Sequence, residues 1–295
     1  MCSTAAAAAA GGDPSRSEPP TRAAAQITPG QAIALGLIHG PAELVPISSS
    51  GHTTLLAWRR GWDHDALDPA ARKRFEVALH AGTTAALLIL IRRERTAALR
   101  RGAPTASPIA VVAIACIPPA LAGKLLERAI ERRLGTPPTI AAALGAGALA
   151  MAAADRRRDR APTRARTDAG LGDGVALGAA QALALIPGVS RSGATRAAAR
   201  WRGFSRVESD ALAAAVGLPI TLGALALKGR EAALRADRSE WTALGAGALA
   251  AFSSTLASSR LIARVGRERS LLPYAGYRVV VATAVIRRLR QNAKR

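Results

Sequence analysis

Residues 36–52 read Gly36-Leu37-Ile38-His39-Gly40-Pro41-Ala42-Glu43-Leu44-Val45-Pro46-Ile47-Ser48-Ser49-Ser50-Gly51-His52. They lie inside a 36-residue run, 23–58, whose single formal charge is Glu43. Such a run has no polar face to turn to water, which the helices of a soluble bundle need. It is longer than the ~20 residues that cross a bilayer as helix. Its middle, however, is broken by Gly40, Pro41, Pro46 and three consecutive hydroxyls. Non-helical backbone at membrane depth is tolerated only where it lines a polar cavity or is buried in protein. The segment therefore reads as an interrupted membrane helix whose break is a candidate site, the plainer alternative being a surface loop between two full spans.

Outward from this stretch the same pattern recurs. The runs 77–91, 108–123, 134–154, 174–190, 211–227 and 241–259 carry no formal charge. Between them stand basic blocks: Arg92, Arg93, Arg95, Arg100 and Arg101; Arg156, Arg157, Arg158, Arg160, Arg164 and Arg166; and Arg287, Arg288, Arg290, Lys294 and Arg295. The 295 residues hold 41 Lys+Arg against 20 Asp+Glu, a net +21, with 49% apolar and 3% aromatic residues. A nucleic-acid binder would interleave its basic residues with apolar ones at helical spacing and carry aromatics for stacking. Charge in blocks with few aromatics excludes nucleic acid as the partner and predicts a polytopic membrane protein with basic loops. The abundant Ala and Gly let membrane helices approach closely. Cys2 and Cys116 cannot form a disulfide framework or a four-thiolate zinc site.

Residues 1–28 read as a disordered tail, without the apolar core of a signal peptide. Residues 29–286 read as one transmembrane domain, in halves of about 29–154 and 168–286, followed by a basic tail at 287–295. The halves are a duplication, seen by adding 142 to each number. Ala34, Leu35 and Gly36 then meet Ala176, Leu177 and Gly178. Ser48, Ser50, Gly51 and Thr53 meet Ser190, Ser192, Gly193 and Thr195, and Arg60-Gly61 meets Arg202-Gly203. Paired halves in membrane proteins often lie inverted and meet at mid-membrane through interrupted helices. The second interruption is Pro187-Gly188-Val189-Ser190-Arg191-Ser192-Gly193.

The copies differ where chemistry would need them to differ. Leu185 takes the place of Glu43, and Arg191 the place of Ser49. Together they supply a carboxylate, an imidazole, a guanidinium and many hydroxyl and backbone N–H donors. Arg with Gly/Ser turns suits phosphate, through a bidentate fork and free backbone donors. His52 suits proton transfer near neutral pH. Ser49 or a neighbour could be a nucleophile if His52 lies within reach. Glu43 could bind a divalent cation or orient the base. Arg191 stands in an apolar stretch, where a charge costs several kcal/mol unless paired or hydrated (roughly 3 on insertion scales). His80 could pack or line the site, and His64 reads as a loop residue. Arg59, Arg60, Arg200, Arg202 and the basic blocks read as solvated or headgroup contacts.

These segments resemble the undecaprenyl-diphosphatase (bacitracin-resistance) family of bacterial membrane phosphatases. The resemblance rests on residues 36–52, on Gln181-Ala182-Leu183-Ala184-Leu185-Ile186-Pro187-Gly188-Val189-Ser190-Arg191-Ser192-Gly193-Ala194-Thr195, and on stretches around His80, Pro118 and Tyr277-Arg278. It implies an all-α polytopic membrane fold of two interlocking inverted repeats with re-entrant helical hairpins. It implies hydrolysis of undecaprenyl diphosphate, recycling the lipid carrier for cell-wall synthesis and conferring bacitracin resistance. The implied setting is the cytoplasmic (inner) membrane, with the site toward the outer face and a polyprenyl diphosphate lipid as partner; a homodimer is left open. By the same resemblance Glu43 is the acidic residue, Ser49 the nucleophile, His52 the proton-transfer partner and Arg191 the diphosphate clamp. Ser48, Ser50, Ser190, Ser192, Gly193 and Thr195 are the nearby substrate-binding positions. A divalent cation, Mg2+ or Ca2+, is implied, with Glu43 and His39 as ligands. The family pattern usually has a second glutamate where His39 stands, so this chain carries one negative charge fewer there. Two rival readings are a lipid-phosphate transporter or flippase on the same repeats and a catalytically weakened member. Lipid phosphatases of the acid-phosphatase type need a His soon after their Ser-Arg, and no His follows Arg191 closely.

Overall fold

A computed structural model describes residues 26–62, 68–100, 108–156, 164–265 and 270–294. Most of the 1–28 tail, His64 and much of the Arg156–Arg166 block lie outside the described residues. The described chain is helical: α1 (Pro29–Leu44), α2 (Ser49–Arg60), α3 (Pro69–Arg100), α4 (Ile109–Leu134), α5 (Pro137–Arg156), α6 (Leu171–Leu183), α7 (Arg191–Trp201), α8 (Arg206–Arg235), α9 (Arg238–Val265) and α10 (Leu272–Asn292). A 3₁₀ turn, Arg166–Asp168, precedes α6. α10 runs through Asn292, so the segment expected as a C-terminal tail from 287 mostly continues the helix. Its Arg, Leu and Gln are good helix formers, and no Gly or Pro interrupts them.

Helix length separates two kinds of element. α1, α2, α6 and α7 have 16, 12, 13 and 11 residues. At ~1.5 Å per residue none reaches the ~30 Å of a hydrocarbon core, so they pair as re-entrant hairpins. α3, α4, α5 and α8 contain segments long and apolar enough to span, namely Pro69–Glu94, Ile109–Ile130, Pro137–Arg156 and Arg206–Arg235. α9 and α10 have the length to cross as well, at 28 and 21 residues. Large apolar side chains point outward on these helices, among them Ile109 (85% exposed), Leu227 (76%) and Leu149 (70%). That surface suits lipid rather than water.

The order of elements sets the inversion. A hairpin returns the chain to the side it left, whereas α3, α4 and α5 carry it across three times. The second hairpin therefore enters from the opposite side. Ion pairs agree with this count. Arg74 near the start of α3 pairs with Glu240 near the start of α9, and Arg206 at the start of α8 with Asp155 at the end of α5. Each pair joins helix ends that the count places on one side.

The halves interlock. α1 packs on α9 of the other half, and its counterpart α6 packs on α4. Small residues permit this approach. A Cβ at Gly36 would lie 2.8 Å from the Ala250 Cβ, and one at Gly40 would lie 2.7 Å from the Thr255 N. Gly178, the repeat partner of Gly36, meets Pro118 in the same way, at 2.8 Å. Burial is accordingly spread over several small, alanine-rich clusters that join α1–α3–α9, α4–α6–α7–α8 and α2–α5–α10.

Candidate active site

The two hairpin tips touch. Ser48 and Ser190 stand at equivalent turns with positive φ, 78° and 27°. Each hydroxyl caps the helix that follows it, accepting from Gly51 N–H at 3.4 Å and from Gly193 N–H at 3.2 Å. Ser48 also accepts from Gly188 N–H of the opposite tip, at 3.2 Å. Its oxygen is thereby spent on backbone, and only its proton is left for a ligand. The N-termini of α2 and α7 converge at this junction. Their first N–H groups, at Ser49, Ser50, Arg191 and Ser192, have no intrahelical acceptor and carry the positive ends of two helix dipoles.

Glu43 closes the arrangement from the last turn of α1. One carboxylate oxygen accepts from Ser49 Oγ at 2.6 Å, and the other from Arg191 Nη2 at 2.6 Å. The lone carboxylate of the first copy thus meets the lone guanidinium of the second. Arg191 Nη1 donates to the Gly217 carbonyl at 3.2 Å and to the Thr221 hydroxyl, both on α8. The Arg191 side chain remains 29% exposed, leaving part of the fork free.

His52 is oriented differently from the sequence expectation, which placed it against Ser49. Its Nδ1 lies 2.8 Å from the Ser48 carbonyl, and its Nε2 lies 2.9 Å from the Tyr277 hydroxyl. A carbonyl only accepts, so Nδ1 carries the proton and Nε2 accepts from Tyr277. The Tyr277 and His52 rings stack at 5.5 Å. Ser49's proton is instead held by Glu43. Ser49 and His52 are three residues apart on α2, on one helix face.

The remaining expected positions divide by role. Thr195 is buried and donates to the Arg191 carbonyl at 2.8 Å, a packing bond inside α7. Gly193 makes room: a Cβ there would lie 2.9 Å from Met151 Sδ. Ser50 and Ser192 are partly exposed on the opening turns of α2 and α7. Arg200 is not the solvated contact expected of it, whereas Arg202 keeps its exposure while pairing with a buried carboxylate. Arg200 is 4% exposed and donates to the Phe204 carbonyl, while Arg202 grips the buried Asp173 at 2.6 Å. Arg200 is drawn inward because the base of the second hairpin offers its guanidinium a carbonyl acceptor, whereas Arg202 stays 46% exposed and reaches Asp173 from the outside.

Arg278 of α10 is the feature that sequence reading undervalued. It is 1% exposed. It donates to Pro46 O of the first tip at 3.3 Å, to Gly188 O of the second at 2.8 Å, and to Leu144 O of α5 at 3.2 Å. No carboxylate is paired with it among the described residues. A charge inside an otherwise apolar run was the available signal, the same one that marked Arg191. Thr83, Gly217 and Thr221 gave no such signal, being ordinary small residues in uncharged runs.

Beside Glu43, one turn back on α1, His39 Nδ1 lies 2.9 Å from Thr83 Oγ1. The His80 ring of α3 stands edge-on to His39 with centroids 4.6 Å apart. Ligand atoms of His39, Glu43 and His80 all lie within 4.8 Å of one another. Mg2+ and Ca2+ take oxygen donors. Two imidazoles and a single carboxylate do not fit the hard cation expected from the resemblance.

Sequence comparison with known proteins identifies the family. The family described as bacitracin resistance protein BacA matches residues 32–284. An undecaprenyl-diphosphatase of Geobacter sulfurreducens is 36% identical over 268 residues, covering 86% of this chain and 96% of the relative. One from Geobacter metallireducens is 35% identical over 274 residues, covering 88% and 98%. One from Gemmatimonas aurantiaca is 36% identical over 265 residues, covering 86% and 96%. A family match over most of the chain, with relatives of this identity and coverage, shows that the chain belongs to the bacitracin resistance protein BacA family.

Proposed function

We propose that this protein hydrolyses undecaprenyl diphosphate to undecaprenyl phosphate and inorganic phosphate, as its relatives' names state of them. This recycles the lipid carrier for cell-wall synthesis and gives resistance to bacitracin. The observation that carries the reading is the contact of Ser49, Glu43 and Arg191 at the meeting of two helix N-termini. There a nucleophile, a proton acceptor and phosphate ligands share one place between lipid-facing walls.

In the proposed reaction Arg191 turns its exposed edge to the terminal phosphate, and the free N–H groups of α2 and α7 add donors. Ser49 Oγ attacks the terminal phosphorus while its proton passes to Glu43. The bond to the bridging oxygen breaks, undecaprenyl phosphate departs, and a phosphoserine remains. Water then attacks this ester, giving its proton to His52 Nε2. The bond from Ser49 Oγ to phosphorus breaks, Ser49 recovers its own proton from Glu43, and inorganic phosphate leaves with the water's proton returned to it by His52. The Tyr277 hydroxyl now occupies the Nε2 position that this water would take. Arg278 touches no reacting atom in this scheme and holds the two tips in register.

The protein is a multi-pass membrane protein. We place it in the inner membrane with the basic blocks that follow α3 and α5, which the crossing count puts on one side, in the cytoplasm. The first hairpin then opens toward the outer face. Every residue of the proposed site comes from one chain, so a homodimer is not required for catalysis. We further propose that a divalent cation is held beside Glu43.

The test is phosphate release from a polyprenyl diphosphate by purified protein. Arg191→Ala and Ser49→Ala are expected to lower kcat/KM by about 10²–10³-fold, the usual loss when one charge-stabilising group is removed. Arg191→Lys should recover little, since one ammonium cannot reproduce the fork. No release by the wild type across pH and divalent cations would sink the hydrolase reading and favour a transporter.

A further inference from the structure

We infer that His39, His80 and Glu43 form a site for one borderline divalent metal ion of the zinc class rather than for Mg2+ or Ca2+. Three donors from two helices, α1 and α3, converge within 4.8 Å beside the proposed nucleophile. Two nitrogens and one carboxylate oxygen, with a fourth position open, match catalytic zinc sites. Imidazole suits Zn2+ and its neighbours, whereas hard cations select oxygen.

The surroundings prepare His39 for this role. The Thr83 hydroxyl gives its proton to the Leu79 carbonyl at 3.0 Å. Its oxygen can therefore only accept from His39, so the His39 proton sits on Nδ1 and the Nε2 lone pair is free. A ligating histidine characteristically spends its other ring N–H on such an outer partner, which fixes tautomer and ring plane. His39 is 2% exposed and Thr83 1%, so this bond is shielded from water. His80 is perpendicular to His39 and brings a ring nitrogen within 4.8 Å of the other two donors. Donors around a tetrahedral ion at ~2.1 Å sit about 3.4 Å apart. The cluster reaches this by side-chain adjustments on the order of an ångström, without moving either helix. Glu43 is the point of contact with the rest of the site. An ion on its carboxylate would weaken its hold on Arg191 and so turn the guanidinium toward phosphate. The chain's departure from the family at His39 then changes the metal it takes, with no need for the position to be lost.

The inference rests on the hydrolase reading only for its bearing on turnover, so binding is measured without substrate. Chelator-treated, tag-free protein in detergent is titrated with Co2+ and the visible d–d absorption followed. One equivalent is expected to bind in four- or five-coordinate geometry, to be displaced by Zn2+, and to resist excess Mg2+ or Ca2+. His39→Ala and His80→Ala should each abolish the spectrum. Thr83→Val, which keeps the side chain's shape, should weaken Co2+ by about 10–100-fold. His39→Glu should shift preference toward Mg2+ or Ca2+. No Co2+ spectrum with the wild type, displacement by Mg2+ as readily as by Zn2+, or a spectrum that survives in the His39→Ala/His80→Ala pair would overturn the assignment. Wild-type protein that binds the ion yet releases no phosphate would leave the site standing and remove the hydrolase reading. Release without ion binding would do the reverse.

Discussion

Replacing Ser48 by Ala removes one oxygen that serves two N–H groups, and the repeat supplies an internal control. In the first copy the oxygen accepts from Gly51 at 3.4 Å and from Gly188 at 3.2 Å. In the second, Ser190 serves one backbone N–H, that of Gly193 at 3.2 Å, and otherwise meets only the Ser192 hydroxyl at 3.4 Å. The Gly51 bond is long, so its loss belongs at the low end of capping effects, about 0.5–1 kcal/mol. The Gly188 N–H is buried between the tips, and leaving it without an acceptor costs about 1–3 kcal/mol. Ser48→Ala should therefore destabilise by ~1.5–4 kcal/mol, and Ser190→Ala by ~1 kcal/mol. For a domain of this size each kcal/mol moves Tm by about 2–4 °C. Thermal unfolding in detergent, followed by circular dichroism, should show drops of ~3–16 °C and ~2–4 °C respectively. The latch also places Ser49, the next residue, against Glu43. Phosphate release at 25 °C should accordingly fall further for Ser48→Ala than its folded fraction explains, by about 10-fold or more. A Ser190→Ala shift equal to or larger than that of Ser48→Ala would refute the cross-tip bond as a stabilising contact.

Gly40→Ala puts a Cβ 2.7 Å from Thr255 N and 2.8 Å from Ala251 O, backbone atoms that cannot rotate away. It should destabilise by about 1–3 kcal/mol, whereas Gly145→Ala, with nothing within 4 Å, should be neutral or slightly stabilising in the same melts. Asp173, at the open base of the second hairpin, is pushed up by burial but pulled further down by Arg164 and Arg202, to about 2. Its ordinary value is about 3.9, so its stabilisation is present above that pH and is lost as pH falls toward 2. Wild-type Tm should drop over that interval, and Asp173→Asn should start lower and flatten the profile; parallel profiles would remove Asp173 as the cause. Tyr277→Phe deletes the donor to His52 Nε2 while keeping the stacked ring. Its activity loss should stay below about 10-fold, against the 10²–10⁴-fold expected for removing the base in His52→Ala. Equal losses would make Tyr277 a reacting group.

Much of the fold was legible because membrane burial acts on composition. A bilayer admits few charges, so uncharged runs mark helices whatever their neighbours are. The 142-residue register placed α6 and α7 opposite α1 and α2 before any coordinates: α2 opens at Ser49 and α7 at Arg191, 142 apart. Glu43 and Arg191 stood out for the same reason, each being the lone charge in its stretch. Sequence pattern said less about residues whose importance is a matter of direction. His52 follows Ser49 closely, yet its ring turns to Tyr277, 225 positions away. Arg200 and Arg202 looked like loop charges until the fold brought acceptors to them.

The sequence by itself determined a polytopic, duplicated membrane protein with two interrupted segments and the residue types of phosphate chemistry. Hydropathy, repeats and turn chemistry are local properties, readable one segment at a time. Only the tertiary structure decided which groups meet. It set Ser49 on Glu43 rather than on His52, tied both tips to Arg278, and brought His80 to His39. Those pairings depend on close helix contacts at Gly36 and Gly40, on the room that Gly147 of α5 leaves for the Arg278 guanidinium, and on hydrogen bonds between distant segments, whose energies are settled by ångström-scale distances that no linear pattern encodes.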